Sequence, residues 1–394
     1  MAGSILISGA GVAGPTLAYW LAERGFTPTL VERAGAFRRG GHILDFWGLG
    51  FDVAERMGLL PTLRARGYVN DNAVFVRADG KRSSGFGGDV FRRALGDKFM
   101  SLQRGDLART IYDTLAGRVE TLFGEEIVGL EEAGEGVDVA LRSGGQRRFD
   151  LVVGADGLHS GVRTLAFGPM PERYLGFHVA VFISEGYPRR DEGTYVSFAS
   201  PGRQISRFAL RDDRTGFMLV FARDAPPDAA CASLGAQKQL LIDTFSSEPW
   251  IEWPEIRARL EATTELYYDA VSQIEAPAWS KGRVALVGDA AYCPSLLAGE
   301  GAAFAMAGAY ILAGELAAAG GDHRRAFAAY EARFRPFIEG KQKSARDFAA
   351  SFTPRTRFGL AIRDLVLKAT VFPPVADLLM GSFINDRFKL PEYG

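Results

Sequence analysis

Apolar and polar positions change period several times along the chain, and the changes divide it. Ser4-Ile5-Leu6-Ile7-Ser8 is a short apolar run ending in a glycine-rich turn, after which Leu17 and Leu21 fall on one helical face and Thr29-Leu30-Val31 returns to strand spacing. Residues 1–33 therefore predict strand, tight turn, helix and strand, one βαβ unit. Helical spacing from Leu107 to Leu115 follows Asp106, a residue type that caps helix starts, and strand-like runs follow near Val119 to Leu122 and Val137 to Leu141. Between residues 173 and 280 alternation takes over: Tyr195 to Phe198, Ile205 to Arg211 and Gly216 to Phe221, joined by polar turns such as Asp212-Asp213-Arg214-Thr215-Gly216. That is the texture of an antiparallel sheet. A buried strand returns at Arg283 to Val287 and leads into a long apolar helix. Phe358, Ile362, Leu365, Val366 and Ala369 then recur at helical spacing, and Pro373-Pro374 interrupts before a shorter apolar helix.

The fold class that follows is α/β: a Rossmann-like nucleotide-binding domain interleaved with an antiparallel-sheet substrate domain, plus C-terminal helices. The expected segments are 1–75, 100–172 and 280–340 for the first, 76–99 and 173–279 for the second, and 341–394 for helices bridging the two. With 394 residues, 47% of them hydrophobic, more than one minimal domain is expected. The balance of 46 Lys+Arg against 47 Asp+Glu leaves no basic stripe for nucleic acid or an anionic membrane, so a small molecule is the expected partner. Cys231 and Cys293 form no framework and no metal site. The N-terminal sequence lacks a basic and apolar leader, and the apolar stretch from Ala302 to Gly314, bounded by Glu300 and Glu315, is too short for a bilayer of about 30 Å. A cytoplasmic protein with a buried helix at that position is expected.

Three segments carry chemistry. In Gly9-Ala10-Gly11-Val12-Ala13-Gly14, Gly9 permits the tight turn, Gly11 lets backbone approach a pyrophosphate and Gly14 lets helix and strand pack closely. The Val12 and Ala13 amides open the helix, and Glu32, at the end of the second strand, stands where a carboxylate binds a ribose hydroxyl. Leu151 to Gly157 runs from a buried strand into a turn at Asp156, which alone reads as an ordinary Asp-Gly turn. Val284 to Ala291 repeats the pattern with Gly288 and Asp289, followed by Pro294 and by Gly299-Glu300-Gly301-Ala302 opening a helix. A carboxylate there can accept bonds from ribityl hydroxyls, and a glycine-lined helix start can approach a flat ring carbonyl.

The three segments in this order resemble the FAD-dependent aromatic hydroxylases, the fold of para-hydroxybenzoate hydroxylase, over roughly residues 1 to 340. Arg38-Arg39-Gly40-Gly41-His42-Ile43-Leu44-Asp45 is similar to that family's stretch before the ring, and Gln103-Arg104-Gly105-Asp106-Leu107 to the segment whose arginine reaches FAD. The resemblance places FAD contacts on Glu32, Arg33, Arg39, Asp45, Arg104, Asp156 and Asp289. Within the family, Asp289 to Pro294 and Gly308 to Leu316 look most like the tetracycline destructases and their neighbours. The chain departs from the pattern at Leu296, where a second proline is usual, and at Glu300, where glutamine is usual.

Such a resemblance implies FAD, transient NAD(P)H, O2 and an aromatic or polycyclic, tetracycline-like substrate, hydroxylated through a flavin C4a-hydroperoxide in a monomer or homodimer. No protein catalytic triad is required, because the cofactor carries the chemistry. Leu296 and Glu300 keep open a flavoprotein that oxidises, reduces or cyclises without inserting oxygen, and a non-catalytic FAD or ligand-binding protein is the remaining alternative. Trp47, Arg207, Phe208, Met218, Phe221 and Leu296 are the candidate pocket residues, with the inward face of the sheet undetermined by alternation alone. His42 and His159 flank the cofactor segments, His178 and His323 look ordinary, and Gly85-Phe86-Gly87-Gly88 reads as a loop.

Overall fold

A computed structural model of the chain describes residues 3–37, 43–68, 72–370, 372, 374–375 and 388–393. The glycine-turn half is a six-stranded sheet in the order Ser280–Lys281, Val284–Leu286, Leu151–Gly154, Ser4–Ser8, Thr27–Glu32, Glu120–Phe123, parallel except for its first pair. Ile5, Leu6 and Ile7 are fully buried, which explains a continuous apolar run where alternation would mark a half-exposed strand. Strand order reverses around Ser4–Ser8, so the crevice beyond its C-terminal end is the switch point at which such sheets bind ligands. Ile127–Ala133, Gly136–Leu141 and Gln146–Phe149 form a separate antiparallel meander.

The second sheet has seven strands, in the order Tyr267–Gln273, Arg173–Glu185, Arg214–Ala222, Arg203–Ala209, Thr194–Ser200, Asn72–Val76, Arg82–Phe86. Its register settles which side chains share a face. Arg207 lies opposite Phe217, Ile205 opposite Leu219 and Arg203 opposite Phe221. This face carries Phe182, Phe198, Phe217 and Phe221 and is covered by Leu241 and Phe245 of the helix Leu234–Phe245 and by Trp253 and Ile256 of the helix Trp253–Ala262. The other face presents Val179, Val181, Val220 and Val271 to Leu297 and Ala349, with Met218 and Leu296 at the margin. Leu297 comes from the segment that follows Pro294, so this second face looks toward the glycine-turn half.

Several expectations are corrected. Arg207 and Phe221 belong to the helix-covered face, one residue out of phase with the pocket, because side chains on a strand alternate. Gly85 to Gly88 is no loop: it joins the strand Arg82–Phe86 to the helix Gly88–Leu95. The strand is polar and escapes a hydrophobic-pattern reading, and a Cβ on Gly85, at φ +134°, would lie 2.1 Å from the Ala73 carbonyl oxygen. The strand Asn72–Val76 pairs with Thr194–Ser200, so a break at residue 75 would cut through it. Asp106 lies in the first turn of Arg104–Asp113, whose N-cap is Gln103.

The apolar helix runs Gly301–Ala318, longer than its polar bounds implied, because Glu315 is buried and held by Arg333 at 2.8 Å and the Tyr393 hydroxyl at 2.6 Å. It is long and apolar enough to span a membrane by composition, yet 78% of it is buried inside the protein. The long helix His323–Phe352 ties the two halves together: Gln342 donates to the carbonyls of Ile274 and Cys293 and accepts, at its own carbonyl, from Gln273. The helix Arg357–Ala369 instead packs on the strand Arg82–Phe86 and leaves Phe358 and Leu365 exposed. The apolar helix expected beyond Pro374 lies outside the described residues.

Arg207 donates to Glu252 at 2.6 and 3.1 Å and to Asp191 at 2.6 Å, and the Arg207 and Glu252 side chains are almost fully buried. Removing one partner of a buried pair leaves the other charge uncompensated, at a cost of about 3 kcal/mol. Arg207→Ala should therefore lower stability in urea unfolding by that order and leave ligand affinity unchanged. An altered ligand affinity at undiminished stability would return Arg207 to the pocket.

Candidate functional site

The crevice is built from backbone first. Gly9 takes φ +103°, and a Cβ on it would sit 2.6 Å from the Ala155 carbonyl oxygen. A Cβ on Gly14 would lie 1.9 Å from the Gly9 carbonyl oxygen, so the helix Ala13–Glu23 can start here only with glycine at 14. A Cβ on Gly11 would meet only the Arg104 Nη2, at 3.5 Å, which leaves this backbone open to the crevice. Glu32 braces the turn, one carboxylate oxygen accepting from the Ala10 amide at 2.9 Å and the other from the Ala34 amide at 3.0 Å. Arg33 is exposed beside it, and Arg39 lies outside the described residues, as does His42.

Three parallel strands end in a turn and a helix here, and their helix starts differ. The helix Gly161–Phe167 is capped by its own Ser160, whose Oγ accepts from the Arg163 amide, while Asp156 accepts from Ser160 Oγ at 2.5 Å and from the Val162 amide at 3.1 Å. The helices Ala13–Glu23 and Gly301–Ala318 have no side-chain cap at Val12 or Glu300. Their first turns carry no side-chain cap, and the positive ends of their dipoles favour an anion. The two starts are adjacent, since a Cβ on Gly288 would touch Ala13 Cβ at 3.1 Å and Ala305 Cβ at 3.3 Å. Asp289 follows at once, its Oδ1 3.5 Å from where a Gly301 Cβ would lie, and Arg104 is close enough to oppose the upward pKa shift that burial gives it. A glycine cradle, two uncapped helix starts, a carboxylate and an arginine fit a dinucleotide with a polar ring edge.

From Pro294 the chain turns through Ser295 at φ +132°, a strained value for a residue with a side chain, and then Leu296–Ala298 to Gly299 at φ +72°. Ser295 is buried, and its Oγ accepts from the Leu297 amide at 3.2 Å. This irregular segment brings Leu296 against the open face of the second sheet and places Gly299 3.5 Å, at a notional Cβ, from the Trp47 ring. Gly301 and Ala302 are half-buried at the helix start. Phe208 lies on the same sheet face as Met218, over Gly216 and edge-on to Tyr195 at 5.3 Å. Met218 and Leu296 thus pack on one apolar cluster and Phe208 shares the sheet face of Met218, whereas Arg207 and Phe221 lie on the opposite face.

Asp45 joins the halves. Its Oδ1 accepts from the Ser101 hydroxyl at 2.5 Å and from the Tyr195 hydroxyl of the second sheet at 2.9 Å. Burial pushes its carboxyl up to about 6, and the two hydroxyls only partly offset the shift. His159 makes a second junction, with Glu172 at 2.9 Å and Asp269 of the second sheet at 3.4 Å, and the bonds to Asp269 and Glu172 push it up to about 10. Glu300 is no isolated charge: it is buried against Lys341 at 2.8 Å, and Lys341 also sits over Phe304 and Phe337. Cys293 is buried, and desolvation with nearby Asp289 raises its thiol pKa. His178 is fully buried on the helix-covered side, beside Phe221 and the Ala225 carbonyl. Among the described residues no cluster suits a metal. Tyr195, Ser101, Asp269 and Lys341 were not singled out from sequence; only strand register with Phe208 could have suggested Tyr195.

The FAD binding domain family matches residues 3–216. A flavin-dependent monooxygenase of Legionella longbeachae is 34% identical over 412 aligned positions, covering 99% of this chain and 98% of that protein. The crystal structure of the tetracycline destructase Tet(55) superposes with TM-score 0.84 at 29% identity, over 100% of this chain and 99% of that one. Klebsiella pneumoniae HpxO, solved with FAD and uric acid, shares the fold at TM-score 0.81 and 19% identity, over 98% of each chain. Fold and crevice together define a flavoprotein monooxygenase of the aromatic hydroxylase kind. The chain belongs to the FAD binding domain family, and its cofactor is FAD.

Two measurements test this geometry. Burial raises the Asp45 carboxyl from the ordinary 3.8 to about 6, so its stabilising share is complete below about pH 4 and lost as pH rises through 6. Relative to Asp45→Asn, the parent apoprotein should lose about 3 kcal/mol between those limits in urea unfolding, at 1.36 kcal/mol per unit; a pH-independent difference would refute the shift. For Glu300, Lys341→Met should lower the potential of bound FAD and Glu300→Gln should raise it, by about 30 mV per 1.4 kcal/mol. Equal potentials in both variants would mean that the pair exerts no field on the ring.

Proposed function

We propose that the protein hydroxylates an aromatic or polycyclic phenolic molecule of tetracycline-like size, using NAD(P)H and O2. The observation that carries this reading is the pair of uncapped helix starts, one of them following the Leu296–Ala298 segment that packs on the valine-lined face of the second sheet: a polar cradle for the cofactor and an apolar wall for the substrate. FAD, when bound, supplies the redox and oxygen-transfer chemistry. The backbone from Gly9 to Gly14 holds its pyrophosphate, Glu32 its ribose, and Arg104 and Asp289 the chain leading to the ring. Asp156 acts through its turn, since its carboxylate is spent on Ser160 and Val162. The amides at Gly301 and Ala302 face the polar edge of the ring, and Pro294 and Gly299 shape the bend that brings them there. Leu296, Met218, Phe208 and Trp47 exclude water from the reacting centre, a role that needs packing and no titrating group. Asp45, partly protonated near neutral pH, holds or returns a proton at its carboxyl oxygens. Likeness to tetracycline destructases of known structure supports the substrate class.

The test is turnover of the FAD-loaded protein with tetracycline and with smaller phenols, NADH or NADPH being supplied, read by mass spectrometry. Stimulated nicotinamide oxidation with a product heavier by one oxygen atom is expected. Stimulated oxidation without that gain in mass, across the panel, would overturn the proposal.

A further inference from the structure

The helix Arg357–Ala369 turns its apolar stripe outward and a cation inward. The Arg363 guanidinium carbon lies 3.8 Å from the centre of the Phe75 ring, with only 14% of the side chain exposed. Phe75 pairs with Ser197, Ser197 with Ser206 and Ser206 with Met218, so one row on the face opposite the helix-covered one runs from beneath Arg363 to Met218. Ser197 and Ser206 are buried and bonded at 2.8 Å, and Gln204 donates to Ser206 at 3.1 Å. The bonds of Arg363 itself are long: Nη1 to Gln204 Oε1 and to the Phe352 carbonyl at 3.5 Å each, and Nη2 to Asp364 at 3.4 Å. The same Asp364 oxygen also accepts from Ser84 at 3.1 Å. The buried Nε has no partner among the described residues.

A guanidinium offers five donors in a planar fork that suits anionic oxygens, and a buried one rarely leaves them unused. Arg207 Nη1 and Arg24 Nε are likewise unpartnered among the described residues, but Arg207 is held by Glu252 at 2.6 and 3.1 Å, whereas the bonds of Arg363 run from 3.4 to 3.5 Å. We propose that Arg363 is a substrate-recognition residue, whose guanidinium receives an anionic oxygen, carboxylate, phenolate or enolate, carried on a ring system that packs against Met218. The proposal rests on the aromatic-substrate reading above and deepens it. Substrate binding then draws the C-terminal helix onto the sheet through a charge-assisted bond, so this helix takes part in selecting the ligand as well as covering the sheet edge.

The probes are 1-hydroxy-2-naphthoate and its neutral counterpart 1-naphthol, titrated into FAD-loaded protein at pH 7.5 by flavin difference spectra. The carboxylate should bind roughly ten- to a hundredfold more tightly than the naphthol, the range of one hydrogen bond to a charged group. Arg363→Gln should abolish that preference while the naphthol affinity holds. Should that variant not fold, Gln204→Glu, which sets a carboxylate against Nη1, should abolish it equally. A preference that survives the variant, or equal binding of both probes to the parent protein, overturns the assignment of Arg363 alone. If neither probe binds the parent protein, the aromatic-substrate reading falls with it.

Discussion

The structure depends on one close approach of backbone to backbone. The Gly9 carbonyl oxygen lies 1.9 Å from where a Gly14 Cβ would be, and a Cβ on Gly9 would lie 2.6 Å from the Ala155 carbonyl oxygen. That contact sets the distance between the first helix and its strand, and so where the first-turn amides point. Glu32 locks it by accepting from Ala10 and Ala34. The neighbouring helix start at Gly301 is placed by Gly288, wedged between Ala13 and Ala305. Glycines without side chains thus do the positioning, and the carboxylates Asp289 and Asp45 are brought into a poorly solvated crevice as a result.

Burial of carboxylates has a cost, and the structure handles each one differently. Asp156 is satisfied locally, by Ser8, Ser160 and the Val162 amide, and in return fixes its turn. Asp45 has two hydroxyl donors and remains shifted upward, while Asp289 has the nearby Arg104. Burial shifts all three upward, and they differ in their donors: Asp156 draws on its own turn and helix start, whereas Asp45 draws one bond from the second sheet.

Much of this was legible in the sequence for a physical reason: backbone constraints appear as residue identity. Only glycine tolerates the approaches at 9, 14 and 288, so the turns were readable, and buried parallel strands gave unbroken apolar runs at Ile5 to Ile7 and Val284 to Leu286. The facing of the second sheet was not legible, since alternation fixes two faces and says nothing about which is covered by helices; Arg207 and Phe208 therefore separated. Pairings across long sequence distances were equally hidden. Nothing local in Glu300 announces Lys341, and nothing in Asp45 announces Tyr195.

The interleaved order of strands also governs how the chain reaches its native state. Ser4–Ser8 emerges first during synthesis, yet one neighbour is Leu151–Gly154, whose other side waits for Val284–Leu286. At about 5–20 residues per second, that last strand follows the first by roughly 15–60 s. For that interval the nascent chain carries Ile5, Leu6 and Ile7 with part of their sheet missing, a slow, high-contact-order assembly exposed to aggregation. Since the Gly301–Ala318 helix start is made later still, the crevice cannot be completed until that helix has been synthesised.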